Sequence, residues 1–150
     1  MTEQVETEIG FQVRLRAVRK AYEDGRTRHD VLTGIDLDVR QGELVALLGP
    51  SGSGKSTLLN LIAGLDVPDG GTIEVAGRDL RALTERERTL LRRREIGFVF
   101  QFFNLVPTLT ALENVLLPLE LTGRRSKQTA RDLLERVGLS GRDASFPEEL

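Results

Sequence analysis

The sequence lacks cysteine and tryptophan, and it has a single tyrosine, a single histidine and a single methionine among its 150 residues. Without cysteine, it can form neither a disulfide nor a thiolate nucleophile or thiolate metal site. No apolar run approaches the roughly 20 residues that a membrane-spanning helix needs. The first residues, Met1 to Gly10, are polar and acidic rather than a signal peptide. We therefore expect a cytosolic protein.

Strong charge of either sign is also missing, because the net charge is only −2. The sequence therefore gives no indication of a nucleic-acid partner. An apolar fraction of 39% and a charged fraction of 29% are typical of a soluble domain with a sizeable core. Lysine is scarce as well, and one of the three lysines, Lys55, lies in the most specific pattern of the chain.

That pattern is the run Gly-Pro-Ser-Gly-Ser-Gly-Lys-Ser-Thr, which matches the phosphate-binding loop G-x-x-x-x-G-K-[ST]. Its glycines let backbone N–H groups converge on an anion, and the N-terminus of a following helix adds partial positive charge. Lys55 is predicted to reach the β- and γ-phosphates of a nucleotide, and the Ser56 hydroxyl to ligate Mg²⁺. The predicted nucleotide-binding residues here are Gly49, Pro50, Ser51, Gly52, Ser53, Gly54, Lys55, Ser56 and Thr57, and Lys55 is also a catalytic candidate.

The residues on both sides of the loop favour this interpretation over a flexible Gly/Ser linker. The unbroken apolar run 44–48 predicts a buried parallel strand. Apolar residues within 58–62 predict a helix with one buried face, and Gly64 suits its C-terminal cap. A linker would not be flanked by two apolar elements.

Elsewhere the sequence predicts antiparallel strands first and helices later. Apolar residues alternate over 9–15 and 35–39, with polar loop between Gly25 and Asp30. Capping boxes begin two predicted helices, at Thr84 with Glu87 and at Thr110 with Glu113. The remaining predictions are a turn at 68–71, a strand at 72–76, a helix at 85–94, a buried strand at 96–101, a helix end near Pro118 and a helix around 130–137 ended by Gly138.

Three features together resemble the nucleotide-binding domain of an ABC transporter: the loop 49–57, the upstream Tyr22, and the run Gly-Phe-Val-Phe-Gln at 97–101. Within this family, the stretch 97–115 is most similar to the ATPases of lipoprotein-release and macrolide-export systems, and it also resembles the cell-division ATPase. The resemblance implies an α/β P-loop NTPase fold with an N-terminal antiparallel β subdomain. It divides the chain into a polar tail 1–8 and a partial domain 9–150, with a RecA-like core 40–101 and the start of a helical subdomain 102–150.

The resemblance also implies roles for single residues. Tyr22 would stack on the adenine of ATP, the alternative being a tyrosine packed on the surface at a strand end. Gln101 would be the glutamine that ligates Mg²⁺ and holds the attacking water. His29 is interpreted as a solvated loop residue and Arg92 to Arg94 as a solvated helix end. The apolar residues at 102–109 either belong to the subdomain core or receive a helix of a permease.

The signature, Walker B and switch-histidine motifs of the family do not occur in the 150 residues. We therefore interpret the chain as the front part of the domain and expect it to show no appreciable ATPase activity alone, with exposed strand edges. The resemblance implies a membrane permease and a second nucleotide-binding domain as partners, with the protein cytoplasmic and held on the inner face of the cell membrane through the permease. Alternatives are a non-transport ABC ATPase, a different P-loop enzyme and a nucleotide-binding scaffold.

Overall fold

The computed structural model describes residues 11–25, 27–100, 104–123 and 126–150. It divides into two units, Met1–Ile96 and Gly97–Leu150, each of which is described by itself. The predicted tail 1–8 and Gln101 lie outside the described residues. The predicted subdomain bounds, 40–101 and 102–150, stay a prediction. In the described part of the chain, no helix has the length and apolarity needed to cross a membrane.

The first unit is built on a four-stranded antiparallel sheet in the order β2-β1-β3-β4. The strands are β1 (Phe11–Asp24), β2 (Thr27–Arg40), β3 (Gly70–Val75) and β4 (Arg78–Asp79). Leu15 and Val18 in β1 and Ile73 in β3 are all fully buried. A bulge between Leu15 and Val18 lets both point inward although they are three residues apart. The antiparallel β subdomain is therefore confirmed.

The polar loop predicted to run as far as Asp30 is wrong, because β2 already begins at Thr27. The hairpin ladder continues to the pair Asp24 and Thr27, and His29 lies in β2 opposite Tyr22. Backbone hydrogen bonds to β1 hold these exposed polar residues in the ladder, so an apolar pattern is not needed there. His29 is exposed, as predicted, but in a strand.

A bulge in β1 requires one particular glycine in β3. The β1–β2 register shifts between Leu15 and Val18, and Ala17 between them has a φ of 48°. Opposite this bulge, Gly71 has a φ of 80°, and a Cβ there would lie 2.4 Å from the Arg16 carbonyl oxygen. Only glycine fits this close approach of two backbones.

Two helices complete the first unit. Helix α1 (Lys55–Ile62) is followed by the predicted terminating glycine, Gly64. The Gly64 N–H donates to the carbonyl of Leu61 and the Leu65 N–H to that of Asn60, which is a Schellman motif. Helix α2 (Glu85–Glu95) begins with the predicted capping box. The unit's core is formed by Leu15, Val18, Leu32, Leu58, Leu61, Ile73, Val75, Leu80 and Leu91.

The predicted solvated arginine cluster at the end of α2 is only partly correct. Arg93 and Arg94 are exposed, but Arg92 is half-buried. Its guanidinium donates to the Gly64 carbonyl at 2.6 Å and to Glu85 at 3.1 Å. Arg92 therefore connects α2 to the turn that ends α1.

The two predicted buried strands of the core, 44–48 and 96–101, are wrong for their described residues. Neither segment pairs with a strand among residues 11–25, 27–100, 104–123 and 126–150. Leu44, Leu48 and Val99 have relative exposures of 98%, 91% and 102%. Apolar residues alone do not make a strand, because its backbone groups need a neighbouring strand to bond.

The second unit contains α3 (Ala111–Leu121), α4 (Lys127–Arg136) and a short 3₁₀ turn (Pro147–Glu149). Thr110 and Glu113 form the predicted capping box, and Gly138 follows the end of α4 as predicted. The predicted stop near Pro118 is wrong, because α3 continues to Leu121. Proline removes one backbone donor, whereas its own carbonyl still accepts from the Thr122 N–H at 3.3 Å.

Candidate nucleotide-binding site

The loop before α1 is shaped by glycines with positive φ. Gly52 has a φ of 80° and Gly54 one of 88°, both in the left-handed region that favours glycine. The Ser53 N–H donates to the Pro50 carbonyl at 3.3 Å, which closes a turn inside the loop. The chain then enters α1 directly at Lys55.

The N-terminus of α1 keeps its positive end available to a ligand. Gly54 is the N-cap residue, so no capping side chain accepts from the first N–H groups, and the first turn contains no acidic residue. The partial positive charge of the helix end is therefore not neutralised locally. Together with the loop, this is the arrangement that binds phosphate groups in proteins.

The Lys55 ammonium holds the loop in its curved form. It donates to the carbonyl oxygens of Gly49 at 2.8 Å and Pro50 at 2.7 Å, and it lies 3.3 Å from the Ser53 hydroxyl. These three predicted site residues therefore accept hydrogen bonds from Lys55. A phosphate group has the same kind of acceptor oxygens with more negative charge, so it would compete for this ammonium.

An open pocket of about 570 Å³ lies beside the loop and includes Tyr22. This volume is within the usual range for small-molecule sites. The structure thus brings the predicted aromatic residue and most of the predicted phosphate-binding residues to one pocket. Its lining is formed by Tyr22, Val31, Ser51, Gly52, Gly54, Lys55, Ser56 and Thr57.

The Tyr22 side chain is held by a pair of charged residues. Its hydroxyl donates to Asp66 at 2.9 Å, and the Lys20 ammonium donates to the other oxygen of that carboxylate at 2.8 Å. The same ammonium lies over the Tyr22 ring, 5.1 Å from its centroid. Tyr22 is nevertheless 42% exposed, so part of the ring can contact a ligand.

Burial acts to raise the pKa of the Asp66 carboxyl, but its hydrogen bonds outweigh that effect. The donors are the Lys20 ammonium, the Val67 N–H and the Tyr22 hydroxyl, and the pKa of Asp66 consequently lies below its ordinary value. The carboxylate is therefore charged throughout the neutral range. It can therefore accept the hydrogen bond from the Tyr22 hydroxyl throughout this pH range.

Sequence reasoning missed Lys20 and Asp66 as residues of this site. They are separated by 46 residues, and no short motif contains both. The available signal was the turn 68–71 followed by a strand, which places the residues just before it next to β1. Without the register of β3 against β1, however, the partner of Tyr22 could not be named.

The predicted metal and catalytic residue Gln101 lies outside the described residues, as do Phe102 and Phe103. Within the second unit, Leu105 and Val106 have exposures of 42% and 38%. Asn114 fixes the backbone here, because its Oδ1 accepts from the Val106 N–H at 2.8 Å and its Nδ2 donates to the Leu109 carbonyl at 2.9 Å. The exposed apolar residues are thus held in a defined loop.

A comparison with protein families matches residues 32–150 to the model described as ABC transporter. An uncharacterized ABC transporter ATP-binding protein of Mycobacterium tuberculosis is 52% identical over 141 residues, covering 92% of this chain and 57% of that protein. The lipoprotein-releasing system ATP-binding protein LolD of Pseudomonas syringae is 52% identical over 139 residues, covering 90% of this chain and 61% of that protein. The chain thus spans about three fifths of the length of these relatives.

Solved structures give the same result for the fold. A dimeric, post-hydrolysis structure of the ATP-binding cassette MJ0796 with ADP and phosphate is 41% identical, with a TM-score of 0.83, covering 92% of this chain and 62% of that one. A second dimeric structure of this cassette is 39% identical and also has a TM-score of 0.83. The α/β fold predicted from the sequence is therefore confirmed.

Proposed function

The chain belongs to the ABC transporter family, and from that premise we propose that it contributes the ATP-binding half-site of a transport ATPase. The observation that carries this proposal is the pocket that Tyr22 shares with the loop 51–57. It combines an aromatic ring, which suits a base, with a loop and helix end that suit phosphates.

Lys55, Ser56 and Tyr22 have distinct tasks in this proposal. Lys55 leaves its loop carbonyls for the β- and γ-phosphates, and the loop N–H groups bind the remaining phosphate oxygens. The Ser56 hydroxyl would ligate Mg²⁺, whose preferred donors are oxygens. Gln101, the second Mg²⁺ ligand predicted from the sequence, lies outside the described residues and stays a prediction. Bound Mg²⁺ would neutralise charge on the phosphates. Tyr22 stacks on adenine and thereby adds the selectivity for ATP that a phosphate loop alone lacks.

The experiment that tests the site compares ATP with inorganic tripolyphosphate, which has the phosphates but no base. Base stacking on an aromatic side chain contributes about 1–3 kcal/mol. Tyr22→Ala should therefore weaken ATP binding about 5- to 150-fold and leave tripolyphosphate binding unchanged. Equal losses for both ligands would refute the stacking role of Tyr22.

We also propose that the chain alone binds nucleotide without steady turnover. Its 150 residues contain Lys55, Ser56 and Gln101 but no acidic residue in the family's Walker B context. Hydrolysis needs such a group to position water and hold the metal. A phosphate-release assay tests this, and turnover by the purified chain that Lys55→Ala abolishes would overturn it. If no turnover is observed, a non-catalytic nucleotide-binding scaffold stays an alternative function.

The proposed partners are a membrane permease, which would bring the protein to the inner face of the cell membrane, and a second nucleotide-binding domain. These partners are supported by the similarity to LolD, the ATP-binding protein of a lipoprotein-releasing system, and by the dimeric state of the related cassettes. The exposed Leu105 and Val106 suit an apolar helix of such a permease. Co-purification with a permease should be lost in Val106→Asp, and an unchanged yield would contradict this surface.

A further inference from the structure

The segment that follows α1 runs along β1 and reaches Tyr22 from the side. The Asp69 N–H donates to the Arg19 carbonyl at 2.9 Å, and the Ala21 N–H donates to the Asp69 carboxylate at 2.7 Å. The Lys20 ammonium bonds the Val67 carbonyl at 2.9 Å. Residues 66–69 are thus fixed to β1 at several successive positions, and this is the segment that carries Asp66.

The ion pair between Lys20 and Asp66 is shielded in part from water. The side chain of Lys20 is 11% exposed and that of Asp66 is 32% exposed, with 2.8 Å between Nζ and Oδ1. Solvent screens such a pair less than it screens a surface pair. The Asp66 carboxylate therefore has a fixed position, and its second oxygen, which accepts from Tyr22, has one as well.

The pair restricts both ends of the tyrosine side chain. Asp66 accepts from the hydroxyl, and the Lys20 ammonium lies over the ring. A side chain that is ordered before ligand binding loses less conformational entropy when it stacks on a base. The ammonium also occupies one face of the ring, so that a base would stack on the other face.

Helix α1 connects this anchor to the phosphate loop. Its first residue is Lys55, its last is Ile62, and Asp66 follows four residues later through the turn at Gly64. One short helix, about 12 Å long, therefore connects the phosphate loop at its start to the segment that carries Asp66 beyond its end.

We propose that Lys20 and Asp66 are positioning residues that hold the Tyr22 ring for stacking on the nucleotide base. This inference rests on the proposed function, because it presupposes that Tyr22 contacts the base. It assigns the selectivity for ATP over bare phosphates to three residues rather than to the tyrosine alone. Asp66 contacts Tyr22 through the hydroxyl, so part of the effect of removing Asp66 should disappear where the hydroxyl is absent.

The chain provides its own spectroscopic probe for this test, since Tyr22 is its single tyrosine and it contains no tryptophan. Tyrosine emission in the purified chain therefore reports on this site alone. A carboxylate that accepts from the hydroxyl quenches it. Asp66→Asn should raise the emission, whereas the matched control Asp69→Asn, which alters only a bond to the Ala21 N–H, should leave it unchanged.

Binding is measured on the same variants with ATP and with tripolyphosphate. Asp66→Asn and Tyr22→Phe should each weaken ATP about three- to tenfold and leave tripolyphosphate unchanged, because Tyr22→Phe removes the hydroxyl's hydrogen bond and Asp66→Asn removes the charge that strengthens it. The loss of ATP affinity in the double variant should be smaller than the sum of the two single losses. Tyr22→Phe removes only the hydroxyl, so it keeps the test valid if Asp66→Asn folds poorly.

The outcomes separate this inference from the proposed function. If Tyr22→Ala binds ATP as tightly as the wild type, then the stacking role fails and the positioning role fails with it. If Tyr22→Ala is impaired but Asp66→Asn behaves like Asp69→Asn in emission and affinity, only the positioning role is refuted. Additive losses in the double variant would likewise refute it.

Discussion

Gly54 offers the sharpest test of the loop geometry, because an alanine there meets both a backbone and a packing restriction. Its φ of +88° lies in the left-handed region, and its Cβ would lie 3.0 Å from the Leu32 and Val31 side chains and 3.1 Å from the Val31 carbonyl oxygen. Gly52, in the same loop, has a φ of +80° but nothing within 4 Å of a Cβ. Comparing the two substitutions therefore isolates the packing term.

The expected magnitudes follow from these contacts. An L-residue in the left-handed conformation lowers the free energy of unfolding by about 1–2 kcal/mol, and this loss is common to both variants. Overpacking adds about 1–3 kcal/mol in Gly54→Ala alone. Each kcal/mol corresponds to about 2–4 °C at this chain length, so Gly54→Ala should melt about 2–12 °C below Gly52→Ala. It should also weaken tripolyphosphate more, because Gly54 sets the direction of the first N–H groups of α1.

The assay is thermal unfolding by far-UV circular dichroism without ligand, followed by tripolyphosphate titration of both variants. Equal melting temperatures would mean that a Cβ at position 54 has no steric conflict with Val31 and Leu32. A Gly54→Ala chain that is as stable as the wild type and binds tripolyphosphate equally well would refute the described loop conformation itself.

Three further predictions concern stability. Gly71→Ala should cost about 2 kcal/mol or more, because its Cβ would lie 2.4 Å from the Arg16 carbonyl, whereas Gly77→Ala, with a φ of +72° and open space, should cost only about 1–2 kcal/mol in urea denaturation. Burial raises the pKa of Asp66 but its hydrogen bonds lower it further, so their stabilisation is complete above the ordinary value of 3.8 and is lost as the pH falls through the lower folded-state pKa. The difference between the melting temperatures of wild type and Asp66→Asn should be constant from about pH 8 to about pH 5 and should start to shrink below about pH 4; a difference that does not shrink in acid would contradict this. Val99→Lys should reduce the aggregation of the chain measured by light scattering, because Val99 is exposed in an unpaired apolar segment. Unchanged aggregation would show that this segment does not cause it.

Local signals in the sequence predicted the elements that are stabilised locally. The capping boxes at Thr84 and Thr110 and the C-terminal glycine Gly64 each depend on residues within one helical turn. The loop before Lys55 was equally predictable, because its pattern specifies its own backbone.

Elements that depend on distant partners were not predictable in the same way. The apolar run 44–48 has the composition of a strand, but a strand also needs a neighbour, and composition says nothing about that neighbour. The opposite error occurred at Thr27 to Asp30, where β1 supplies a partner to a polar segment. The contact between Tyr22 and Asp66 depends on sheet register, which no local pattern specifies.

The most direct test of the central claim is a calorimetric titration of the purified chain with ATP, for the wild type and for Lys55→Ala. The wild type should show one saturable site. The affinity of the variant should be at least about tenfold lower, because a hydrogen bond to a charged group contributes about 1.5–3 kcal/mol. Wild-type chain that binds no ATP, or a variant that binds it equally well, would contradict the claim that residues 49–57 hold a nucleotide's phosphates.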